Sequence, residues 1–408
     1  MKSFIRQNFI SLVLAILVVS WAGWYASRPQ ADFAIATAQI DQAAINEMQQ
    51  RCQSEVLQKN GWSKETCYPK ELSSVAFHKS PEYAFNLLFA LQKSDPELLG
   101  CHLIAHGIGS GTYKRDPTGW QASIRNINPS CGYGAVHGIL EGYMGSQPDH
   151  SLTKEIIPTI CGPNPRADCN HIIGHLTLVE TKGSVPEALD LCKVFQNQPA
   201  QYRFCLTGVF MEYQTALNLV EHGYASESWL NWPARLPEIE HMCRSYSGDK
   251  GLACWEEIVH VALVKFDNDP KKIFDFCNTS QISEGARRCR RHSLGIMAAA
   301  KNFNLAEMKS ACQISQKDDP DFENFCYGAL VSSALSTAPQ LLDQMIPFCS
   351  SLAAKFQPLC LTQIGYSLSP GSAERQKLND ICATLLPKVR GYCLGTQPLT
   401  QQEIPRND

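Results

Sequence analysis

The sequence predicts an all-α protein, an α-solenoid of disulfide-linked helical hairpins that follows an N-terminal membrane anchor or signal peptide. Three observations favour this class: 18 cysteines among 408 residues recur with a regular period, the apolar residues between them follow helical spacing, and strand-like alternation is nearly absent. With 36 Lys and Arg against 39 Asp and Glu, the net charge of −3 indicates that nucleic acid is not a partner.

The first 30 residues are predicted to be the export segment. Lys2 and Arg6 precede an uncharged, largely apolar stretch over residues 8–27, which is long enough as a helix to cross a bilayer. We expect an uncleaved single-pass anchor in the inner (cytoplasmic) membrane, with the rest of the chain in the periplasm or another extracytoplasmic space. A cleaved signal peptide is the alternative, because residues 34–36 are Ala-Ile-Ala.

In an oxidising space, disulfides are the default fate of paired cysteines. From residue 161 onward the cysteines form pairs 8 to 14 residues apart, namely Cys161/Cys169, Cys192/Cys205, Cys243/Cys254, Cys277/Cys289, Cys312/Cys326, Cys349/Cys360 and Cys382/Cys393. From the second cysteine of one pair to the first cysteine of the next the separation is 22 or 23 residues, except for a longer interval after Cys205. This regular spacing indicates a repeat of about 35 residues. Cys52 and Cys67 form a further plausible pair. Cys101 and Cys131 either bridge each other, which we prefer in this compartment, or supply thiolate ligands.

Each repeat is predicted to contain two helices that one disulfide joins. The first helix often begins with a capping residue and an acid or amide three positions later, as from Ser184 to Glu187, and ends near its cysteine. The second helix is predicted to begin at the next cysteine. Glycines shortly after that cysteine would let two helices approach closely, at Gly134, Gly208, Gly328 and Gly395.

Over roughly residues 160–395, the period, the helix pairing and the single bridge per unit resemble SEL-like, tetratricopeptide-related repeats of exported bacterial proteins. The resemblance implies a solenoid fold and a role in binding a protein partner. We divide the chain into an export segment (1–30), a cysteine-stapled helical segment (31–79), histidine-rich repeats (80–182), disulfide-stapled repeats (183–395) and a disordered tail (396–408).

The histidine-rich repeats contain the predicted functional site. Three predicted helices each carry two potential ligands four residues apart, which are His102 with His106, His137 with Glu141, and His171 with His175. On a helix, residues at this spacing lie on one face about 6 Å apart, so a pair can chelate one ion. If the repeats stack in order, the three pairs converge. Imidazole with carboxylate suits Zn, Cu, Fe or Ni.

Two other histidines receive a structural interpretation. His260 is expected to be a core side chain that bonds a backbone carbonyl, although it follows its cysteine by six residues, as His137 and His175 do. His292 ends the run Arg-Arg-Cys-Arg-Arg-His, which is expected to be a solvated face.

Three functions remain open. We favour a membrane-tethered extracytoplasmic α-solenoid with a transition-metal site in its N-terminal repeats and a protein-docking surface in its later ones. The alternative is a protein-interaction scaffold without metal, in which the histidines satisfy buried hydrogen bonds. The third is a non-haem metal-dependent enzyme with Glu141 as ligand or general base, or a protein that binds haem non-covalently through histidine pairs. Without a CxxC motif, zinc ribbons, thioredoxin-type redox sites and covalently attached c-type haem are excluded.

Overall fold

In a computed structural model, the described part of the chain is helical and contains no β-strand. The structure describes residues 40–394 apart from 59–62, 96–97, 99–100, 129, 147–151, 162–166, 217–218, 220–223, 302, 315–321, 369–372 and 386. The predicted all-α class is therefore confirmed for this part of the chain.

Helices up to residue 215 carry the predicted metal-site residues. They are α1 (Gln42–Gln58), α2 (Ser63–His78), α3 (Pro81–Ser94), α4 (His102–Arg115), α5 (Trp120–Asn126), α6 (Gly134–Ser146), α7 (Ile157–Ile160), α8 (Ala167–Glu180), α9 (Val185–Leu191) and α10 (Pro199–Thr215).

The remaining described helices continue the repeat. They are α11 (Trp232–Ser245), α12 (Gly248–Glu257), α13 (Val259–Lys265), α14 (Pro270–Cys277), α15 (Ser283–Ala300), α16 (Leu305–Ile314), α17 (Phe322–Thr337), α18 (Leu342–Ser350), α19 (Gln357–Ser367), α20 (Ala373–Ala383) and α21 (Pro387–Leu394). Short 3₁₀ helices lie at Cys192–Phe195, Glu227–Leu230 and Pro339–Leu341.

The predicted export segment (1–30) and tail (396–408) lie outside the described residues, as does Gly395. Among the helices that are described, none combines the length and the apolar character needed to cross a bilayer.

Nine disulfides join all 18 cysteines, and every predicted pair is confirmed. Cys101 is bonded to Cys131, so the bridge is correct and the thiolate alternative is wrong. No cysteine in the chain is free to ligate a metal.

The starts of the helices confirm one prediction and correct another. Ser184 is the N-cap of α9, as its sequence indicates. The second helix of a repeat, however, does not begin at its cysteine: α10 begins at Pro199, before Cys205. Proline is favoured in the first helical turn, where its missing N–H leaves no intrahelical bond unmade. The disulfide thus attaches inside α10 rather than at its start.

The second helices of successive repeats pack against one another in chain order and form the inner layer of the array. Contacts run from α2 to α4 and α6, from α8 to α10, and then through α12, α15, α17 and α19 to α21. Gln340 donates through Nε2 to Oε1 of Gln92 at 2.8 Å, so residues 248 positions apart in the sequence are in contact. This contact shows that the array is curved. This inner layer carries the histidines.

Candidate metal centre

Helices α4 and α6 cross with their backbones in contact because glycines lie at the crossing. A Cβ atom on Gly134 would lie 2.1 Å from the carbonyl oxygen of His102, and one on Gly138 would lie 1.9 Å from that of His106. No larger residue fits at either position. This contact brings His137, on the turn between the two glycines, against both histidines of α4.

His102, His106 and His137 form a compact group, which we call the first cluster. Each pair of ring centroids is 4.9 Å apart. One nitrogen from each ring lies within 4.8 Å of the other two. The Nε2 atoms of His102 and His106 are 3.2 Å apart. The predicted convergence of these helices is therefore present in the structure.

The hydrogen bonds of the first cluster fix which ring nitrogens carry protons. His102 donates from Nδ1 to the carbonyl oxygen of Cys131 at 3.0 Å, since a carbonyl only accepts. His106 donates from Nδ1 to Oε2 of Glu141 at 3.1 Å. The neutral ring of His102 therefore has its lone pair on Nε2, and this atom faces Nε2 of His106. A cation between the two nitrogens would satisfy both.

Burial determines the charge state of the cluster. Burial lowers the pKa of His102 to about 3, and the neighbouring His106 lowers it further. Burial also lowers the pKa of His137 well below its usual value, with His106 next in effect. Burial raises the pKa of the Glu141 carboxyl, but His106 outweighs this effect and holds that pKa below its usual value. Near neutral pH, His102 and His137 are neutral and Glu141 is ionised, which suits metal binding.

The distance between the two Nε2 atoms fits one shared ion. At metal–nitrogen bond lengths of about 2.0–2.1 Å, two nitrogens 3.2 Å apart subtend roughly 100–105° at the metal, close to a tetrahedral angle. Glu141 contacts Nδ1 of His106, on the side of the ring away from this position. In that position Glu141 orients a ligand and increases its basicity.

The other predicted pair, His171 and His175 on α8, repeats this geometry. Their Nε2 atoms are 3.1 Å apart. His171 contacts Oγ1 of Thr207 through Nδ1 at 2.8 Å, and His175 contacts Oε2 of Glu212 through Nδ1 at 3.0 Å. The His175 ring centroid lies 5.3 Å from that of His137. The five predicted histidines therefore form one continuous layer of rings.

A third group, which the sequence analysis missed, consists of Glu257 on α12, His260 on α13 and His292 on α15. Oε2 of Glu257 lies 3.3 Å from Nε2 of His260 and 3.4 Å from Nε2 of His292, and the two nitrogens are 3.4 Å apart. Glu257 Oε2 is buried without a hydrogen bond of good geometry. We call this nearly equilateral triangle of potential ligands the third cluster.

The expected lone core role of His260 is therefore wrong. Glu257 precedes it by three residues, a spacing that on a continuous helix would place both on one face, and the spacing of His260 from Cys254 matches that of His137 from Cys131. These two signals were available in the sequence. The position of His292 opposite them depends on how α15 packs, which no local pattern indicates.

The arginine run before His292 is not a solvated face either. Arg290 is only 7% exposed and donates to Oδ1 of Asn278 at 2.9 Å. Arg288 pairs with Glu284 at 2.9 Å and with Glu256 at 3.4 Å. These arginines anchor α15, and with it His292.

The third cluster is electrostatically asymmetric. Burial lowers the pKa of His292, but the charge of Glu257 outweighs it and raises this pKa to about 9. Burial raises the pKa of the Glu257 carboxyl, but His292 outweighs it and holds that pKa well below its usual value. Glu257 also acts on His171, whose pKa burial and His175 lower to about 3. The third cluster therefore lies within electrostatic reach of the histidine layer.

Comparison of the chain with protein-family models, with curated proteins and with solved structures found no match. The resemblance to SEL-like repeats thus stays a prediction at the level of architecture. Function is inferred from the geometry of the clusters.

Proposed function

We propose that this chain is a membrane-tethered extracytoplasmic helical repeat protein that binds transition-metal ions in its inner layer. The observation that carries the proposal is the close approach of the Nε2 atoms of His102 and His106, 3.2 Å apart, beside the ring of His137. The Nδ1 atom of each ring already contacts an oxygen acceptor, so both Nε2 atoms are left to share one ion. The nine disulfides support an oxidising compartment, and the apolar stretch over residues 8–27 supports the tether.

Zn, Cu and Fe all suit three imidazoles, so the ligand set favours this group of ions over Mg or Ca. The geometry does not favour haem. Two axial nitrogens on opposite sides of a haem iron lie about 4 Å apart with the porphyrin between them. The two Nε2 atoms at 3.2 Å leave no room for that plane. A single ion is the better occupant of the first cluster.

The later repeats supply the proposed protein-docking surface of an α-solenoid. Helical repeat arrays present extended faces on which a partner can lie. Tyr366 on α19 is 69% exposed, although large apolar side chains are usually covered. An exposed aromatic of this kind is a typical interface anchor, since Tyr is enriched at binding hot spots.

A second candidate function, that of a metal-dependent enzyme, is favoured by the third cluster. Two imidazoles and one carboxylate on one side of an ion leave its other coordination positions open for substrate or oxygen. The His292 side chain is 34% exposed, so this side of the cluster reaches solvent. In this candidate enzyme, Glu257 has the role of ligand or general base that was predicted for Glu141.

Metal analysis of the full chain tests the proposal. The purified protein, in detergent if the anchor is retained, is loaded with Zn(II), dialysed and assayed by plasma mass spectrometry. Retention of stoichiometric metal by the wild type, and loss of one equivalent in His106→Ala, are expected. His241→Ala is the control, because His241 is exposed and outside the clusters. If His106→Ala and the wild type retain equal metal, the first cluster is not a site. If neither retains any zinc, and loading with Cu(II) or Fe(II) gives the same result, the scaffold alternative replaces the proposal.

A further inference from the structure

We propose that His171, His175 and Met211 form a separate site that is selective for Cu(I). The inference rests on the proposed function only in assuming that the inner layer binds metal. The third ligand, a thioether, distinguishes this site from the first cluster. Met211 Sδ lies 3.4 Å from Nε2 of His171.

The crossing of α8 with α10 repeats that of α4 with α6. A Cβ atom on Gly208 would lie 1.8 Å from the carbonyl oxygen of His171, just as one on Gly134 would meet that of His102 at 2.1 Å. Three residues after Gly134 stands His137, and three residues after Gly208 stands Met211. Met211 therefore occupies the position of the third ligand in an equivalent frame.

The contacts that His171 and His175 make through Nδ1 leave the Nε2 atoms of both rings available to an ion. The hydroxyl of Thr207 donates to the carbonyl oxygen of Phe204 at 2.9 Å, so its oxygen accepts from Nδ1 of His171. Glu212 accepts from Nδ1 of His175. Both rings thus have Nδ1 in contact with an oxygen and direct Nε2 at the space between them, as in the first cluster.

The distance from His171 Nε2 to the Met211 sulfur fits a single ion as well. With a metal–sulfur bond of about 2.3 Å and a metal–nitrogen bond of about 2.0 Å, a nitrogen and a sulfur 3.4 Å apart subtend about 105° at the metal. The second angle, between two nitrogens 3.1 Å apart, is close to 100°. Both distances that involve His171 are therefore compatible with one ion bound by His171, His175 and Met211.

The chemistry of this set favours copper in its reduced state. Thioether sulfur is a soft ligand that selects Cu(I) over Zn(II), whereas three imidazoles accept either. Glu212 is 2% exposed and contacts Nδ1 of His175 and the backbone N–H of Leu219, so it holds the His175 ring in place.

The test is anaerobic titration of the full chain with Cu(I) against a chromophoric Cu(I) chelator, together with copper X-ray absorption. The wild type should bind Cu(I) with a sulfur neighbour at about 2.3 Å. Met211→Leu, which conserves the apolar volume, should bind Cu(I) at least tenfold more weakly at this site and lose the sulfur scattering. Met308→Leu is the matched control, since Met308 is a buried methionine on α16, outside the histidine layer.

Two outcomes would overturn the inference: unchanged Cu(I) affinity in Met211→Leu, or copper in the wild type without a sulfur neighbour. Met211→His provides a gain-of-function arm, because it reproduces the ligand set of the first cluster and should add one equivalent of retained Zn(II). Failure of the copper site leaves Zn(II) retention at His106 intact, whereas failure of the proposed function removes both. Circular dichroism confirms that each variant is folded.

Discussion

Gly138 lies directly against the carbonyl oxygen of His106, so closely that a Cβ atom on this glycine would lie 1.9 Å from that oxygen. Gly208 has the same relation to His171, at 1.8 Å. The histidine-bearing helices are therefore held at a separation that only backbone-to-backbone contact allows. Ligand geometry in both places depends on residues that cannot themselves bind a metal.

Gly138→Ala should damage the first cluster without touching a ligand. The new methyl group must displace the backbone of α4, and overpacking of this kind typically costs about 1–3 kcal/mol or more. We expect a lower midpoint in denaturant and weaker Zn(II) retention. Gly145→Ala is the control, because Gly145 lies on the same helix and nothing lies within 4 Å of its position.

At Gly145 the substitution should stabilise the helix by about 0.5–1 kcal/mol, since alanine is the better helix former. Equal metal retention in Gly138→Ala and Gly145→Ala would show that the close crossing does not set the ligand geometry.

Removal of the Cys101–Cys131 disulfide should affect the metal site more than removal of any later bridge. The two cysteines are 30 residues apart in the sequence, and their bond joins the residue before His102 to the turn before α6. Cys101→Ala with Cys131→Ala should cost roughly 3–4 kcal/mol on the chain-entropy estimate and weaken metal binding at the first cluster.

The corresponding double variant of Cys382 and Cys393, which are 11 residues apart, should cost roughly 3 kcal/mol and leave metal retention unchanged. Denaturation curves with metal analysis separate the two effects. A metal loss of the same size in both variants would mean that general stability, not local geometry, controls binding.

The fold could be predicted to a large extent because its constraints are local. A cysteine pair such as Cys192 and Cys205 indicates a hairpin within one repeat, and Ser184 marks a helix start as the residue at the N-cap position, although its side chain makes no capping hydrogen bond. The curvature could not be predicted, because the contact between Gln92 and Gln340 depends on small rotations summed over many repeats.

The site could be predicted only in part. Ligands four residues apart, such as His102 and His106, are visible as a helical spacing. His137, the third member of the first cluster, was also predicted, but Met211 and His292 lie on other helices and are brought to their partners by packing. His292 is also masked in the sequence by the arginines beside it, whose ion pairs appear only in the fold.

Glu141→Ala should weaken Zn(II) binding at the first cluster by about 10- to 100-fold, which is typical for loss of a carboxylate that orients a histidine ligand. The carboxylate accepts from Nδ1 of His106 at 3.1 Å, so its removal frees the ring to rotate and to exchange tautomers. Competitive titration with a chromophoric chelator measures the change. Glu180→Ala, at the end of α8, is a suitable charge control. A Glu141→Ala affinity equal to that of the wild type would remove the orienting role.

The third cluster should bind Zn(II) in competition with a proton. His292 has a pKa raised from 6.5 to about 9, so at neutral pH its ring is protonated and must lose that proton to ligate. Affinity should therefore rise roughly tenfold per pH unit toward pH 9 and level off above it. The stability of the metal-free protein should change with pH in the opposite direction to the Zn(II) affinity. The ion pair with Glu257 stabilises the fold fully below pH 6.5, and this contribution is lost as pH rises through about 9.

Calorimetry of Zn(II) binding at pH 7.5, in two buffers of different ionisation enthalpy, counts the released proton. In the His106→Ala background, which removes the first cluster, one proton should be released per ion bound. Glu257→Gln should abolish most of that release, because without the carboxylate burial lowers the pKa of His292 and leaves the ring neutral. If the His106→Ala variant binds zinc at the third cluster without releasing a proton, then His292 and Glu257 do not form an ion pair in the metal-free protein.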